Sequence, residues 1–203
     1  MDSPVGELKL VANGNRLAAI LWENDKPNRV RLPEMVEADD RPILIETERQ
    51  LNEYFAGTRD RFDLELDFQG TDFQKKVWAA LLTIPFGETR SYSDIARQIG
   101  NINAVRAVGA ANGRNPISIV APCHRVIGAS GDLTGFAGGL TNKMLLLSLE
   151  AGQTSLEAAA DSTVDSTAAA ASGAAPATAG REAPVKPTRP APSRGTQASL
   201  FGN

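Results

Sequence analysis

Ser91-Tyr-Ser-Asp-Ile-Ala-Arg-Gln-Ile-Gly100 and, a few residues on, Ala104-Val-Arg-Ala-Val-Gly-Ala-Ala111 decide how this chain folds. Ser91 with Asp94 caps a short helix through Ile95, Ala96 and Ile99, and Gly100 stops it. A second helix is predicted from Ala104 to about Gly113. Two short helices joined by a turn of a few residues form a helix-turn-helix pattern. The second helix is nearly all small residues with one charge, Arg106. Small side chains let a helix approach a narrow groove closely, and they equally suit a helix packed tightly in a core.

Outward from this pair, Thr71 and Gln74 form a capping box ahead of Phe73, Val77, Leu81 and Ile84, which share one helical face. Pro85-Phe-Gly87 breaks that helix. Beyond the pair, a glycine-punctuated loop over 128–139 suits a wing, and Thr141 opens a last helix through Leu145, Leu146 and Leu149. Residues 71–153 therefore read as a winged helix-turn-helix-like domain.

Residues 1–70 differ in kind. Two apolar-rich runs, Gly6–Ala12 and Leu17–Trp22, flank Asn13-Gly14, a hairpin signal. Leu44, Leu51 and Phe55 predict a helix over 43–56, with Gly57 as its C-cap. Phe62, Leu64 and Leu66 alternate with acids, as in a half-buried strand. This is a small α/β scaffold with no catalytic cluster. Residues 154–203 hold 14 Ala, 12 Ser/Thr, 5 Pro and 4 Gly, too little apolar bulk to offset ordering entropy, and are predicted to be disordered. The fold class is thus α+β, with that tail outside it.

Composition narrows the function. Of the 203 residues, 42% are hydrophobic and 22% charged, as in ordinary globular proteins. No apolar run approaches the roughly 20 residues that span a bilayer. Met1–Leu10 lacks the basic start and apolar stretch of a signal peptide, which predicts a cytoplasmic protein. Residues 1–70 carry 9 Lys/Arg against 15 Asp/Glu, whereas residues 71–153 carry 8 against 5. A mildly basic middle permits nucleic-acid binding without demanding it. One cysteine and one histidine exclude an internal disulfide and leave too few ligands for a structural zinc site. No cofactor is expected.

The single cysteine and the single histidine are adjacent, in Pro122-Cys123-His124-Arg125-Val126. A thiolate is the nucleophile, and a base that titrates near neutral pH is its natural activator. Neighbouring side chains on an extended segment point apart, so proton transfer between them needs a bridging water or a bend at Pro122. A cysteine hydrolase needs a group that orients its histidine, and Glu150 near the end of the last helix is the candidate. A buried structural cysteine beside an exposed histidine, with a solvated Glu150, is the bland alternative.

The runs Asn115-Pro116, Ile119-Val-Ala-Pro-Cys-His-Arg-Val-Ile-Gly128 and Gly135-Phe-Ala-Gly-Gly-Leu140, with Lys143 and Glu150, resemble O6-alkylguanine-DNA alkyltransferases. The resemblance covers about residues 1–153, from Ser3-Pro-Val-Gly-Glu7 onward, and its Pro-Cys-His-Arg-Val core is highly specific. It implies a ribonuclease H-like first domain and irreversible transfer of the alkyl group from O6-alkylguanine, and from O4-alkylthymine, to Cys123. Glu150 would orient His124, which would draw the thiol proton through a water. Tyr92 would donate to the leaving base and crowd the 3′ phosphate, and Asn115 would tie the helix-turn-helix to the active-site loop. Arg106 would fill the stack behind a flipped nucleotide in the minor groove, with Ala107, Ala110 and Arg125 also at the DNA. The backbone around Cys123, Val126 and Ala137, beside Phe136, would read the guanine edge. A monomer acting on double-stranded DNA is implied. Phe136 and Ala137 stand where some relatives carry Tyr and Ser, and no second cysteine is present for a phosphotriester-accepting domain.

Two other classes stay open: a non-catalytic winged-helix module that binds damaged DNA, against which Cys123 argues, and a cysteine hydrolase, which would turn over repeatedly. The tail ends in Gln197-Ala-Ser-Leu-Phe201, which resembles the peptide by which bacterial repair proteins dock on the sliding clamp. Leu200 and Phe201 would fill an apolar pocket while Gln197 makes hydrogen bonds.

Overall fold

The computed structural model describes residues 1–32 and 40–152. The chain opens with a hairpin of β1 (Leu8–Asn13) and β2 (Arg16–Trp22), paired antiparallel. Asn13 pairs with Arg16, so the two loop residues are Gly14 and Asn15, one step later than the sequence signal suggested. Gly14 takes φ +60, the left-handed conformation that a glycine adopts without a Cβ clash. A register shift at Val11/Ala12 bulges the hairpin.

Helix α1 (Pro42–Phe55) turns Leu51, Tyr54 and Phe55 inward, and Gly57 follows it at φ +72. The strand expected at Phe62–Leu66 is not a ladder. The segment touches the hairpin through a single bridge, Leu17 to Leu66, and its three apolar side chains pack as half-buried residues on the core. Alternation thus gave the buried face correctly, but β2 offers that segment only one pair of hydrogen bonds, Leu17 to Glu65 and Asp67 to Leu17.

Helix α2 (Asp72–Leu81) starts at the Thr71/Gln74 capping box, with both reciprocal bonds formed. It ends before Pro85, and a two-residue strand β3 (Arg90–Ser91) leads into α3 (Tyr92–Gln98), whose Ser91/Asp94 box is also complete. Gly100 at φ +76 stops α3, and a 3-10 turn at Ile102–Ala104 leads into α4 (Val105–Gly113). A 3-10 turn at Cys123–Arg125 then runs into β4 (Val126–Ile127), which pairs parallel to β3. Helix α5 (Gly139–Glu150) closes the described chain, starting two residues before Thr141. No strand forms in the loop over 128–138, so the expected wing is an irregular loop, closed by Gly128 donating to Asp132 at 2.8 Å.

Two apolar clusters result. One joins Leu8, Leu17, Ile20, Leu51, Tyr54 and Phe55 to Ile117, Ile119, Leu146 and Leu149. The other gathers Val77, Trp78, Leu81, Ile95, Val108 and Ala111 around Cys123 and Val126. The first cluster therefore draws on the segment before the cysteine and on α5, which fixes the active-site turn between the two. Trp22 presses on the backbone of Gly138, where a Cβ would sit 2.7 Å from the indole, so only glycine fits there.

Candidate active site

The segment that delivers the cysteine is built as a clamp. Asn115 is buried just after α4; its Nδ2 donates to the Ala121 carbonyl at 2.7 Å and its Oδ1 accepts from the Ile117 amide at 3.1 Å. Its own carbonyl accepts from Arg29, which is paired with Asp25. Between the clamped ends Ile119 sits at φ +72, a costly conformation for a β-branched residue. Asn115 thus spans a strained bend, and Pro122 then starts the turn that carries Cys123.

Cys123 is 2% exposed and His124 is fully buried. His124 Nε2 lies 2.7 Å from Glu150 Oε1. A carboxylate only accepts, so Nε2 carries the proton and Nδ1 keeps its lone pair. Nδ1 has no protein partner among the described residues. Burial lowers the His124 pKa, Glu150 pulls it back up, and the charges of Arg125 and Lys143 push it down again. The imidazole is therefore held as a neutral base. Burial alone would raise the Glu150 carboxyl, but hydrogen bonds from His124 and Arg125, with the guanidinium's charge, hold it at about 2. Burial also pushes the Cys123 thiol up, against the polar side chains of Asn115 and Ser118 and the charges of Arg29 and Lys143. The thiol needs a base to lose its proton at neutral pH, and a base stands next to it in the chain.

Lys143 on α5 is fully buried, and its Nζ donates to the carbonyls of Val126 at 2.7 Å and Thr134 at 3.0 Å. Among the described residues no carboxylate pairs with it, and burial lowers its pKa while Cys123 raises it. Thr134 in turn donates to the Tyr92 hydroxyl at 3.0 Å, leaving the Tyr92 proton free to be given elsewhere. Phe136 is half-buried between Trp22, at 5.3 Å, and His124, at 6.5 Å, in edge-on geometry. Ala137 is half-buried beside Trp22, and Val126 is fully buried.

The outer face of α4 is exposed at Val105, Arg106, Ala107, Ala110 and Arg114, while Val108, Ala111 and Asn112 face inward. The small-residue helix is thus half core and half open surface. Arg125 does not belong with that surface. It is 6% exposed; its Nε and Nη2 donate to Glu150 at 2.7 and 2.9 Å, and its Nη1 donates to the Ile84 carbonyl at 2.7 Å. The expected DNA contact by Arg125 is corrected accordingly: a buried guanidinium whose donors go to a carboxylate and a carbonyl has none left for phosphate.

Two residues of the network carry no signal in the sequence. Tyr54 donates to Glu150 Oε1 at 2.7 Å, so the first seventy residues do reach the site, contrary to the expectation of a scaffold alone. Asn112 donates to the Cys123 carbonyl at 3.3 Å. Tyr54 lies ninety-six positions from its partner and Asn112 eleven, and neither sits in a motif. A cavity of about 670 Å³ lies behind the turn, along Phe62, Phe86, Pro122 and Arg125, but Cys123 and Tyr92 do not line it. Gln197, Leu200 and Phe201 lie outside the described residues.

A thiol with a neighbouring base, mounted directly behind a helix-turn-helix, defines a cysteine-nucleophile protein built to work beside DNA. Family profiles agree in detail: residues 1–68 match the ribonuclease-like domain, and residues 72–152 the DNA binding domain, of 6-O-methylguanine DNA methyltransferase. The methylated-DNA–protein-cysteine methyltransferase of Mycobacterium tuberculosis (strain ATCC 25618 / H37Rv) is 53% identical over 152 residues, covering 74% of this chain and 89% of that protein. Its counterpart from Methanosarcina acetivorans is 49% identical over 150 residues, covering 73% and 94%. The crystal structure of Mycobacterium tuberculosis OGT in complex with DNA superposes with a TM-score of 0.66 at 49% identity, covering 75% of this chain and 91% of that one. The chain belongs to the 6-O-methylguanine DNA methyltransferase family.

Proposed function

We propose that this chain repairs DNA by direct reversal, moving the alkyl group from O6 of an alkylated guanine onto Cys123 and stopping there. The observation that carries the reading is the buried Cys123-His124 pair with Glu150 locked on the imidazole. His124 Nδ1 draws the thiol proton through a bridging water. The sulfur then attacks the alkyl carbon, an S–C bond forms as the C–O6 bond breaks, and the electron pair stays on the guanine. Tyr92 donates to the ring as this charge develops, and the thiol's proton ends on the restored base. The product thioether is stable, so each molecule acts once, as a methylated-DNA–protein-cysteine S-methyltransferase. O4-alkylthymine offers the same alkyl–oxygen bond.

A thiol 2% exposed cannot reach a base stacked in a duplex, so the damaged nucleotide must be turned out of the helix. The exposed face of α4 suits this work in the minor groove, with Ala107 and Ala110 permitting close approach and Arg106 occupying the emptied stack. Asn115 holds the bend between that helix and the cysteine. The division at about residue 70 gives a first domain that supports and a second that binds DNA and reacts.

Mass spectrometry after incubation with O6-methylguanine duplex tests the reading. The peptide containing Cys123 gains one methylene, and Cys123→Ala gains nothing. Loss of substrate with an unmodified peptide instead identifies a hydrolase, and binding with neither change identifies a damage-recognition module.

Gln197, Leu200 and Phe201 are the basis for a second, separate reading: the tail docks on the bacterial sliding clamp and raises the repair protein's local concentration at replicating DNA. A peptide of residues 190–203 titrated with purified clamp should bind at tens of micromolar or better; no binding ends the idea.

A further inference from the structure

Glu150 is more heavily engaged than orienting one histidine requires. Its Oε1 meets His124 Nε2 at 2.7 Å, Arg125 Nη2 at 2.9 Å and the Tyr54 hydroxyl at 2.7 Å. Its Oε2 accepts from Arg125 Nε at 2.7 Å and from the Gly87 amide at 3.3 Å. Arg125 neutralises the carboxylate, so the negative potential left for the imidazole depends on how far the other donors draw on the shared oxygen.

Tyr54 is placed to control that share. It is fully buried on α1, with the rings of Phe55, Phe62 and Phe86 at 5.4, 5.4 and 6.2 Å. Glu150 Oε1 is the one hydrogen-bond partner of its hydroxyl among the described residues. Burial first, and then the Glu150 charge, raise the phenol well above its ordinary value, so it remains a donor throughout the working range. The charged and titratable groups acting on the imidazole come from three elements: Glu150 and Lys143 from α5, Arg125 from the 3-10 turn, and Tyr54, through Glu150, from α1.

We propose that Tyr54 is a positioning residue for the transfer reaction: its hydroxyl pins the Glu150 rotamer and draws charge from Oε1, which keeps His124 a neutral acceptor toward Cys123. The proposal rests on the role of His124 as base given above. It makes the first domain a tuner of the chemistry carried by the second.

Tyr54→Phe removes the hydroxyl and keeps the ring. Because His124 is the sole histidine of the chain, nitrogen-15 histidine NMR of the full-length protein follows it without assignment. The imidazole pKa should rise in Tyr54→Phe by on the order of half a pH unit, because the carboxylate regains basicity. The acid limb of the single-turnover methyl-transfer rate should move upward with it. Phe62→Leu, which disturbs the same packing without touching a polar atom, should leave both where they were. An unmoved His124 titration in Tyr54→Phe overturns the proposal, as does an equal shift in Phe62→Leu. The titration needs no substrate, so a shifted signal in a protein whose unaltered form never methylates Cys123 sustains the coupling while sinking the transfer reading.

Discussion

The 3-10 turn at Cys123–Arg125 and the outer face of α4 belong to the same half of the chain but use opposite physics. The turn takes four polar groups out of water, Tyr54, His124, Arg125 and Glu150, each at most 6% exposed, and satisfies them with one another. The α4 face leaves Arg106, Arg114 and a row of small residues in solvent. At the turn, position and protonation are fixed by neighbours, and removing one member strands the rest. On α4 nothing is fixed, and the surface contributes by what it lets come close. In the proposed function, chemistry is stored where water is excluded, and recognition where it is not.

That contrast breaks most visibly at Glu150. Glu150→Gln leaves Arg125 buried without a countercharge and should lose about 3–5 kcal/mol of stability in chemical denaturation. Arg125→Met should leave duplex affinity unchanged by fluorescence anisotropy, since the guanidinium faces Glu150 and the Ile84 carbonyl. Weaker DNA binding at full stability would show that Arg125 works outward after all.

Arg106→Ala should give the reverse pattern, with stability within about 0.5 kcal/mol and duplex binding weakened by about 1–3 kcal/mol. A melting loss without a binding loss would mean that α4 serves packing alone.

Acid should sharpen the difference by a smaller step. His124 has a folded pKa below its ordinary 6.5, so as pH falls under that value the unfolded chain gains a proton that the folded one refuses. Glu150, held at about 2 against an ordinary 4.5, adds the same penalty as pH falls from 4.5 toward 2. Stability should decline in two stages, to which His124 and Glu150 each contribute up to about 1.4 kcal/mol per pH unit. Glu150→Gln should shrink the lower stage without abolishing it, because Glu46, Glu53, Asp67 and Asp94 are also held low. A flat profile from pH 7 to 4 would contradict the buried neutral imidazole.

What was legible in the sequence was local. Thr71/Gln74 and Ser91/Asp94 declare their helices because both halves of a capping box lie three residues apart, and Gly57 and Gly100 declare the stops. The Cys123-His124 adjacency and Glu150 carry chemistry in their residue types, and a family resemblance joined them. What was not legible depended on distant partners. Phe62–Leu66 has the alternation of a strand, but whether a ladder forms depends on an edge supplied by β2. Arg125 reads as a surface cation until Glu150, twenty-five positions on, claims it. Tyr54 looks like one more inward aromatic of an amphipathic helix, and only the fold brings its hydroxyl to a carboxylate ninety-six positions away.

Lys143 fastens both ends of the loop from Val126 to Thr134 with a single ammonium group, and that same group is one of the two cations whose charge favours ionisation of the sulfur. Swinging the loop outward would pull the fastening apart and let water around the ammonium weaken its field. The position of this loop and the charge felt by the Cys123 sulfur are therefore coupled through one buried ammonium.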